Sequence, residues 1–219
     1  MQKHIGLFGG TFDPIHFGHL RVALEVKQQL QLDQVRFIPC HRPAHRTEPH
    51  ASAAHRLAMT QLAIADQPGF YVDECELKHS APSYTIDTLK TLRDQFGNDA
   101  AFYLLIGADA FSQIDQWSRW QQLLDLTHIV VMERAGQCAQ LSPTAQDWLE
   151  QHSVSSVEKL AACTQGSIIQ LKVTALDISA SQIRQLFNAQ LSANFLLPES
   201  VIGYIRQHHL YLTGAPALS

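Results

Sequence analysis

The sequence predicts an α/β protein with a doubly wound parallel sheet that is covered by helices on both faces. Short apolar runs alternate with amphipathic helical segments along most of the chain. Within these runs the apolar residues are continuous instead of alternating with polar ones, which is typical of strands buried on both faces. The 219 residues, of which 46% are hydrophobic, suit one compact core.

Six apolar runs predict the strands. The first, residues 4–8, ends at Gly9-Gly10, and the fourth, residues 102–106, ends at Gly107, so both stop where glycine allows a tight turn. The other predicted strands are residues 35–39, 70–72, 128–132 and 168–171.

Six segments with apolar residues at helical spacing predict the helices. Residues 19–30 place leucine and alanine side chains on one face. The stretch SYTIDTLKTLRDQF predicts a helix with Ser83 as its N-cap. The other predicted helices are residues 52–66, 143–152, 179–187 and 198–208. Strands and helices in this order predict a Rossmann-like sheet, in which ligands bind at the carboxyl ends of the strands where the strand order reverses.

We expect a single domain over residues 1–219, with a core at 1–189 and a helical closing segment at 190–212.

The formal net charge of −4 and the absence of a basic run disfavour nucleic acid as a partner. No apolar stretch reaches the roughly 20 residues that span a membrane, and no signal-peptide core is present. Four scattered cysteines without a C-x-x-C pair predict free thiols and a cytoplasmic location.

A cluster of possible metal ligands follows the second predicted strand: Cys40, His41, His45, His50 and His55. The spacing fits no zinc pattern, and the segment is rich in proline, arginine and glutamate. We therefore expect a polar loop that faces a substrate, and no metal site formed by the protein.

The stretch GLFGGTFDPIHFGHL begins within the first strand and continues past it. It matches neither of the two familiar phosphate-binding patterns, G-x-G-x-x-G and G-x-x-x-x-G-K-[ST]. Gly9 and Gly10 let the backbone turn sharply and approach a ligand. His16 and His19 are three residues apart, so a helical turn places both imidazoles on one side. A helix N-terminus beside them favours anions. A tight turn with two surface histidines is the simpler alternative, but the whole string favours a phosphate site.

At these residues the chain resembles a known superfamily. GGTFDPIHFGHL is similar to the signature of the nucleotidyltransferases that carry an H-x-G-H motif, and ISASQIR, residues 178–184, resembles their second signature, I-S-x-[ST]-x-I-R. The closing VIGYIRQHHLY looks like the C-terminal helix of the family. Serine at 181 replaces a frequent threonine, and the hydroxyl is kept.

Three internal stretches are similar to bacterial nicotinate-nucleotide adenylyltransferases: RPAHR, APSYTIDTL and LIGADAF…W. Ala44 stands where that family commonly has a second proline. This resemblance implies transfer of AMP from ATP to nicotinate mononucleotide, which yields nicotinate adenine dinucleotide and pyrophosphate in NAD biosynthesis. It implies acceptor contacts from His45, Arg46, Tyr84, Thr85 and Trp117.

The resemblance also implies an ATP site, in which His16, His19 and Arg184 carry the catalysis. Its residues are Gly9, Gly10, Thr11, Phe12, His16, His19, Gly107, Asp109, Ile178, Ser181 and Arg184. Mg²⁺ is the expected cofactor, carried by the ATP phosphates and water without a protein cage. ATP and the mononucleotide are the expected partners, and the oligomeric state stays open.

Several residues keep an alternative structural role. Trp120 competes with Trp117 as the residue that stacks on the pyridine ring. Asp109 or Ser181 could be a helix N-cap, and Arg184 could be a solvated helix charge.

Other functions also stay open at this point. One is transfer to nicotinamide mononucleotide or phosphopantetheine, and a second is a cytidylyltransferase. A third is a nucleotide sensor without activity, which the intact His16, His19 and Arg184 disfavour. An aminoacyl-tRNA synthetase is excluded by the short chain and the lack of a basic surface.

Overall fold

The computed structural model describes residues 2–41, 48–78, 84–133, 141–160 and 162–212. Six parallel strands form one sheet in the order β3-β2-β1-β4-β5-β6. The strands are β1 His4–Gly10, β2 Gln34–Pro39, β3 Phe70–Val72, β4 Ala101–Gly107, β5 His128–Glu133 and β6 Ile168–Lys172. This order confirms the predicted doubly wound sheet, with its reversal between β1 and β4.

The described residues also form eight α-helices. They are α1 Phe17–Gln29, α2 Ala53–Ile64, α3 Thr85–Phe96, α4 Ala108–Phe111, α5 Pro143–His152, α6 Val157–Leu160, α7 Ala180–Asn188 and α8 Glu199–Gln207. Short 3₁₀ helices lie at Cys75–Lys78, Ile114–Gln116 and Trp120–Asp125. None of the helices in the described part of the chain is long and apolar enough to cross a membrane.

Successive residues of the central strand β4 enter two different cores. Phe102, Leu104 and Ile106 pack with α3, α5 and the 3₁₀ segments on one face of the sheet. Tyr103 and Leu105 pack with α1, α2, α7 and α8 on the other face. Because side chains alternate across a strand, a run that is apolar at every position is buried on both faces. The apolar side chains of α8 belong to the same core as those of the sheet. The boundary at residue 189, between the core and the closing segment, stays a prediction.

Serine side chains cap three of the helices. Ser52, Ser142 and Ser179 each accept a hydrogen bond from a backbone N–H in the first turn of α2, α5 and α7. Helix α3 begins at Thr85 with Tyr84 in the N-cap position, one residue after the predicted cap Ser83, which lies outside the described residues. The α4, α6 and 3₁₀ segments were not predicted, because they are too short to show a helical period.

Candidate active site

A crevice opens between the two central strands at their carboxyl ends. The ladder between β1 and β4 stops at the pair Leu7–Leu104. Strand β1 nevertheless stays paired with β2 as far as Gly10, and β4 stays paired with β5 as far as Gly107. The central strands therefore separate over their last three residues, at the point where the strand order reverses and where sheets of this kind bind ligands.

The two histidines of the first motif lie together at the start of α1. His16 is the N-cap residue of the helix, and His19 is its third residue. The ring centroids of His16 and His19 are 3.8 Å apart, and His16 is 6% exposed. The helix begins two residues earlier than predicted, and the expectation that both imidazoles lie on one side of the turn is confirmed.

Two glycines of the motif are required by contacts with its rings. A Cβ atom built on Gly10 would lie 2.8 Å from the ring of Phe12, and one built on Gly18 would lie 2.9 Å from the ring of His16. The same position on Gly18 is 3.5 Å from the carbonyl oxygen of Ile178, in the second motif. A larger residue at either position would displace a ring that shapes the site.

Phe12 and Gly9 take different places in the turn. Phe12 is 2% exposed, and its ring packs edge-on against that of His19 with 5.2 Å between centroids. A Cβ atom on Gly9 would have no neighbour within 4 Å, so the end of β1 is open on that side. The Phe12 ring thus packs against the His19 ring, whereas Gly9 borders open space.

The N-terminus of α1 offers fewer free amides than the sequence suggested. The N–H of Phe17 donates to the carbonyl of Leu196, at 3.0 Å. No acidic side chain lies in the first turn, so none competes there with a bound anion. Thr11 lies between strand and helix, where its hydroxyl accepts a weak hydrogen bond from the Cys40 thiol at 3.8 Å.

The second motif lies against the first. Helix α7 has Ser179 as its N-cap, so the alternative that Ser181 is the cap is wrong. Nη2 of Arg184 donates to the Ser181 hydroxyl at 3.2 Å, and Nη1 donates to the backbone carbonyl of Asp13 at 2.7 Å. Arg184 is therefore fixed beside the H-x-G-H turn and is not a freely solvated helix charge.

The carboxylate of Asp109 lies over the end of β4. A Cβ atom on Gly107 would be 2.5 Å from an oxygen of Asp109, so the side chain folds back across the glycine. The N-cap of α4 is Gly107, which excludes that role for Asp109. Asp109 is exposed at the crevice, as a contact to a ribose requires.

The predicted acceptor residues that the structure describes lie on two connected segments. Tyr84 and Thr85 begin α3, and Tyr84 is 38% exposed. In the first turn of α3, both oxygens of Asp87 accept from Arg119 at 2.8 Å. This pair ties the start of α3 to the segment that carries Trp117.

The two candidate tryptophans differ in their surroundings. Both are partly buried against the core on the α3 face. The ring of Trp120 packs edge-on against Trp148 of α5, with 4.7 Å between centroids. Trp120 therefore contributes to the core, which favours Trp117 as the residue with a face for a ligand.

Two predicted acceptor contacts, His45 and Arg46, lie outside the described residues. Within the residues that the structure does describe, no group of three or more histidine, cysteine, aspartate or glutamate side chains could hold a metal. The described cysteines Cys40, Cys75 and Cys163 are free thiols.

Arg56 is a residue of this site that the sequence analysis missed. It is 1% exposed, and its guanidinium donates to the carbonyls of Thr11 at 2.8 Å, His41 at 2.9 Å and Ala51 at 3.2 Å. Arg56 thereby joins both ends of the segment around His45 to the turn after β1. One signal was present: Arg56 lies on the buried face of α2 at helical spacing from Met59.

Asp13 was quoted within the first motif without a role, and the structure shows it to be a centre of hydrogen bonds. It is 4% exposed, and its carboxylate accepts from the amides of His50 at 2.7 Å and Ala51 at 3.1 Å. The hydroxyl of Tyr211 donates to the same carboxylate at 2.8 Å. No local pattern could predict contacts between residues so far apart in the chain.

Comparisons with known proteins agree with this geometry. The cytidylyltransferase-like family model matches residues 7–186. A protein of Cellvibrio japonicus named probable nicotinate-nucleotide adenylyltransferase is 48% identical over 96% of this chain and 100% of its own length. A protein of Acidithiobacillus ferrooxidans with the same name is 47% identical over 94% of both chains.

A solved structure shares the fold. It is the nicotinic acid mononucleotide adenylyltransferase of Plasmodium falciparum complexed with NaAD, with a TM-score of 0.72, 20% identity and coverage of 96% of this chain and 98% of that one. The crevice, the two joined motifs and the extent of these matches lead to one assignment: the chain belongs to the nicotinate-nucleotide adenylyltransferase family.

Proposed function

We propose that this protein transfers AMP from ATP to nicotinate mononucleotide and releases pyrophosphate. One observation carries the proposal: Arg184 of the second motif donates to the carbonyl of Asp13, in the turn that leads to the paired H-x-G-H histidines beside the crevice between β1 and β4. Two imidazoles and a guanidinium at the end of a parallel sheet suit a polyphosphate. Relatives named for this activity support the choice of acceptor.

The reaction is a direct in-line displacement. A phosphate oxygen of the mononucleotide attacks the α-phosphorus of ATP, the new P–O bond forms, and the bond to the β-phosphate oxygen breaks. The attacking oxygen is already ionised, so no strong base is needed, and catalysis is mostly positioning and charge stabilisation. Burial raises the pKa of the Cys40 thiol beside Thr11, so this thiol stays protonated and is a poor nucleophile.

Each group of residues has a distinct role in this proposal. His16 and His19 donate hydrogen bonds to the α-phosphate, where charge develops in the transition state. Arg184 holds the β- and γ-phosphates that leave as pyrophosphate, together with the Ser181 hydroxyl. The Asp109 carboxylate accepts hydrogen bonds from ribose hydroxyls at the end of β4.

The acceptor binds on the side of Tyr84, Thr85 and Trp117. Hydroxyls and amides at the start of α3 suit the ring carboxylate, and the Trp117 face suits the flat ring. His45 and Arg46 remain predicted acceptor contacts outside the described residues.

Mg²⁺ is proposed as the cofactor. The oxygens of the buried Asp13 are taken by amides and a hydroxyl, so its carboxylate is not available as a ligand. A Mg²⁺ ion would therefore take its ligands from phosphate oxygens and water, and would neutralise charge on the phosphates. The cytoplasmic location stays a prediction.

The test measures pyrophosphate release from ATP and Mg²⁺ with nicotinate mononucleotide, nicotinamide mononucleotide or phosphopantetheine. We expect the first acceptor to be preferred, and dinucleotide to form in equal amount with pyrophosphate.

His19→Ala should lower kcat by about 10²–10³ while the protein still folds. His152→Ala, at the end of α5, is the matched control and should retain activity. No pyrophosphate with any acceptor would overturn the proposed reaction, and near-normal turnover in His19→Ala would overturn the role of His19.

A further inference from the structure

Tyr211, which follows the last helix, reaches the first motif of the chain. Its hydroxyl donates to Oδ1 of Asp13 at 2.8 Å, and its ring lies near that of Phe187, with 6.4 Å between centroids. The backbone of Tyr211 is left-handed, with φ 66°. A bulky residue rarely adopts this conformation unless its surroundings hold it. The C-terminal segment is therefore anchored where the phosphate-binding turn begins.

The Asp13 carboxylate is held from several directions. Oδ1 accepts from Tyr211 and from the Ala51 amide, and Oδ2 accepts from the His50 amide. Oδ2 lies 3.9 Å from Nη1 of Arg184, which donates instead to the backbone carbonyl of Asp13. The carboxylate is thus close enough to attract the guanidinium, without a direct hydrogen bond to it.

We propose that Tyr211 is a positioning residue that holds the Asp13 carboxylate away from Arg184, so that the guanidinium stays available to the phosphates of ATP. Without the Tyr211 hydroxyl, only two backbone amides in the described part of the chain hold the carboxylate. It can then turn toward Arg184 and form a charge-assisted hydrogen bond, which competes directly with phosphate. The proposal rests on the phosphate-binding role of Arg184 given above.

Tyr211 can act as a donor over the whole working pH range. Burial and the nearby Asp13 charge raise the pKa of its hydroxyl well above the ordinary value. The phenol therefore keeps its proton and remains a hydrogen-bond donor to the carboxylate.

Tyr211→Phe tests the hydroxyl alone, because the ring remains. Tyr204→Phe is the matched control: its hydroxyl pairs with Nδ1 of His55 at 2.9 Å, on the same C-terminal segment but on α8. We expect Tyr211→Phe to lower kcat/KM for ATP about tenfold, mainly by raising KM, as one hydrogen bond to a charged group would. Tyr204→Phe should stay within about twofold of the wild type.

A double variant tests whether Tyr211 acts through Arg184. In the Arg184→Ala background, we expect Tyr211→Phe to change kcat/KM for ATP less than about twofold. The reason is that the guanidinium, which Tyr211 keeps available to phosphate, is then absent. Equal losses in both backgrounds would overturn the proposal. A lower melting temperature in Tyr211→Phe with an unchanged KM for ATP would also overturn it, because the role would then be structural.

Calorimetric binding of ATP separates this proposal from the proposed activity. Tyr211→Phe should weaken ATP binding about tenfold even if the acceptor has been misidentified, since no acceptor is present. Unchanged ATP affinity in this variant would refute the role of Tyr211 while leaving the reaction itself untouched. A wild-type protein that binds ATP and releases no pyrophosphate with any acceptor would instead refute the reaction.

Discussion

Replacing Arg56 by methionine should cost both stability and acceptor binding. Arg56 is 1% exposed, and its guanidinium donates to three backbone carbonyls. Methionine fills similar space but leaves these carbonyls without their donor. At about 1–2 kcal/mol for each of the three lost bonds, the free energy of unfolding should fall by about 3–6 kcal/mol. For a chain of this size, the melting temperature should fall by roughly 6–24 °C.

Arg93→Met is a matched control for this change. Arg93 is 6% exposed and likewise donates to backbone carbonyls, including those of Leu126 and Ala100. These carbonyls precede β4 and β5 and so lie at the amino ends of the strands, whereas the candidate site lies at the carboxyl ends. Arg93→Met should therefore lose comparable stability without a specific effect on either substrate.

The test compares KM for the mononucleotide in Arg56→Met and Arg93→Met. Arg56 holds His41 and Ala51, which flank the segment with the predicted acceptor contacts, so Arg56→Met should raise KM for the mononucleotide by at least about tenfold. Thermal unfolding and steady-state kinetics measure both effects, and Arg56→Lys keeps the charge if the methionine variant does not fold. A melting temperature within about 2 °C of the wild type, or an equal change of KM in Arg93→Met, would refute the reasoning.

Three further outcomes are expected. Gly18→Ala should displace the His16 ring and lower kcat/KM at least about tenfold, with the melting temperature nearly unchanged; wild-type kinetics would contradict the close contact. Trp117→Ala should raise KM for the mononucleotide about tenfold or more and spare KM for ATP, whereas Trp120→Ala should mainly lower the melting temperature. Burial lowers the pKa of His128, whose Nδ1 accepts a backbone N–H, so stability should be complete above about pH 6.5 and fall as the pH drops toward the lowered pKa. Melting temperatures at pH 7.5 and 5.5 test this, and the pH dependence should shrink in His128→Gln.

The strands could be predicted to within two residues because their signal is local. A strand buried on both faces is apolar at every position, and β1 and β4 each end at glycine. Helix ends were less certain, since a cap depends on backbone geometry: Ser52, Ser142 and Ser179 are caps, but Ser83 does not occupy the N-cap position of α3. The short helix α4 buries too few residues to leave a periodic pattern.

The motifs that carry the candidate phosphate-binding groups could be found in the sequence, but the residues that hold these motifs in place could not. His16, His19 and Arg184 belong to motifs whose residue types suit phosphate, and the fold brings these motifs together. The partners of Arg56 are backbone carbonyls, which every residue has, so the sequence holds no sign of which ones it meets. The hydrogen bond from Tyr211 to Asp13 spans 198 residues, and only the three-dimensional fold reveals it.

These supports give the buried Asp13, in the turn after β1, a structural role. The carbonyl of Thr11 anchors Arg56, which holds both ends of the predicted acceptor segment, and the carboxylate of Asp13 also holds its C-terminal end. The carbonyl of Asp13 also accepts from Arg184, on the side proposed for ATP. We therefore expect this short turn to set the distance between the two proposed substrate sites. In an in-line displacement this distance decides the rate, so small displacements of the turn should affect both substrates at once.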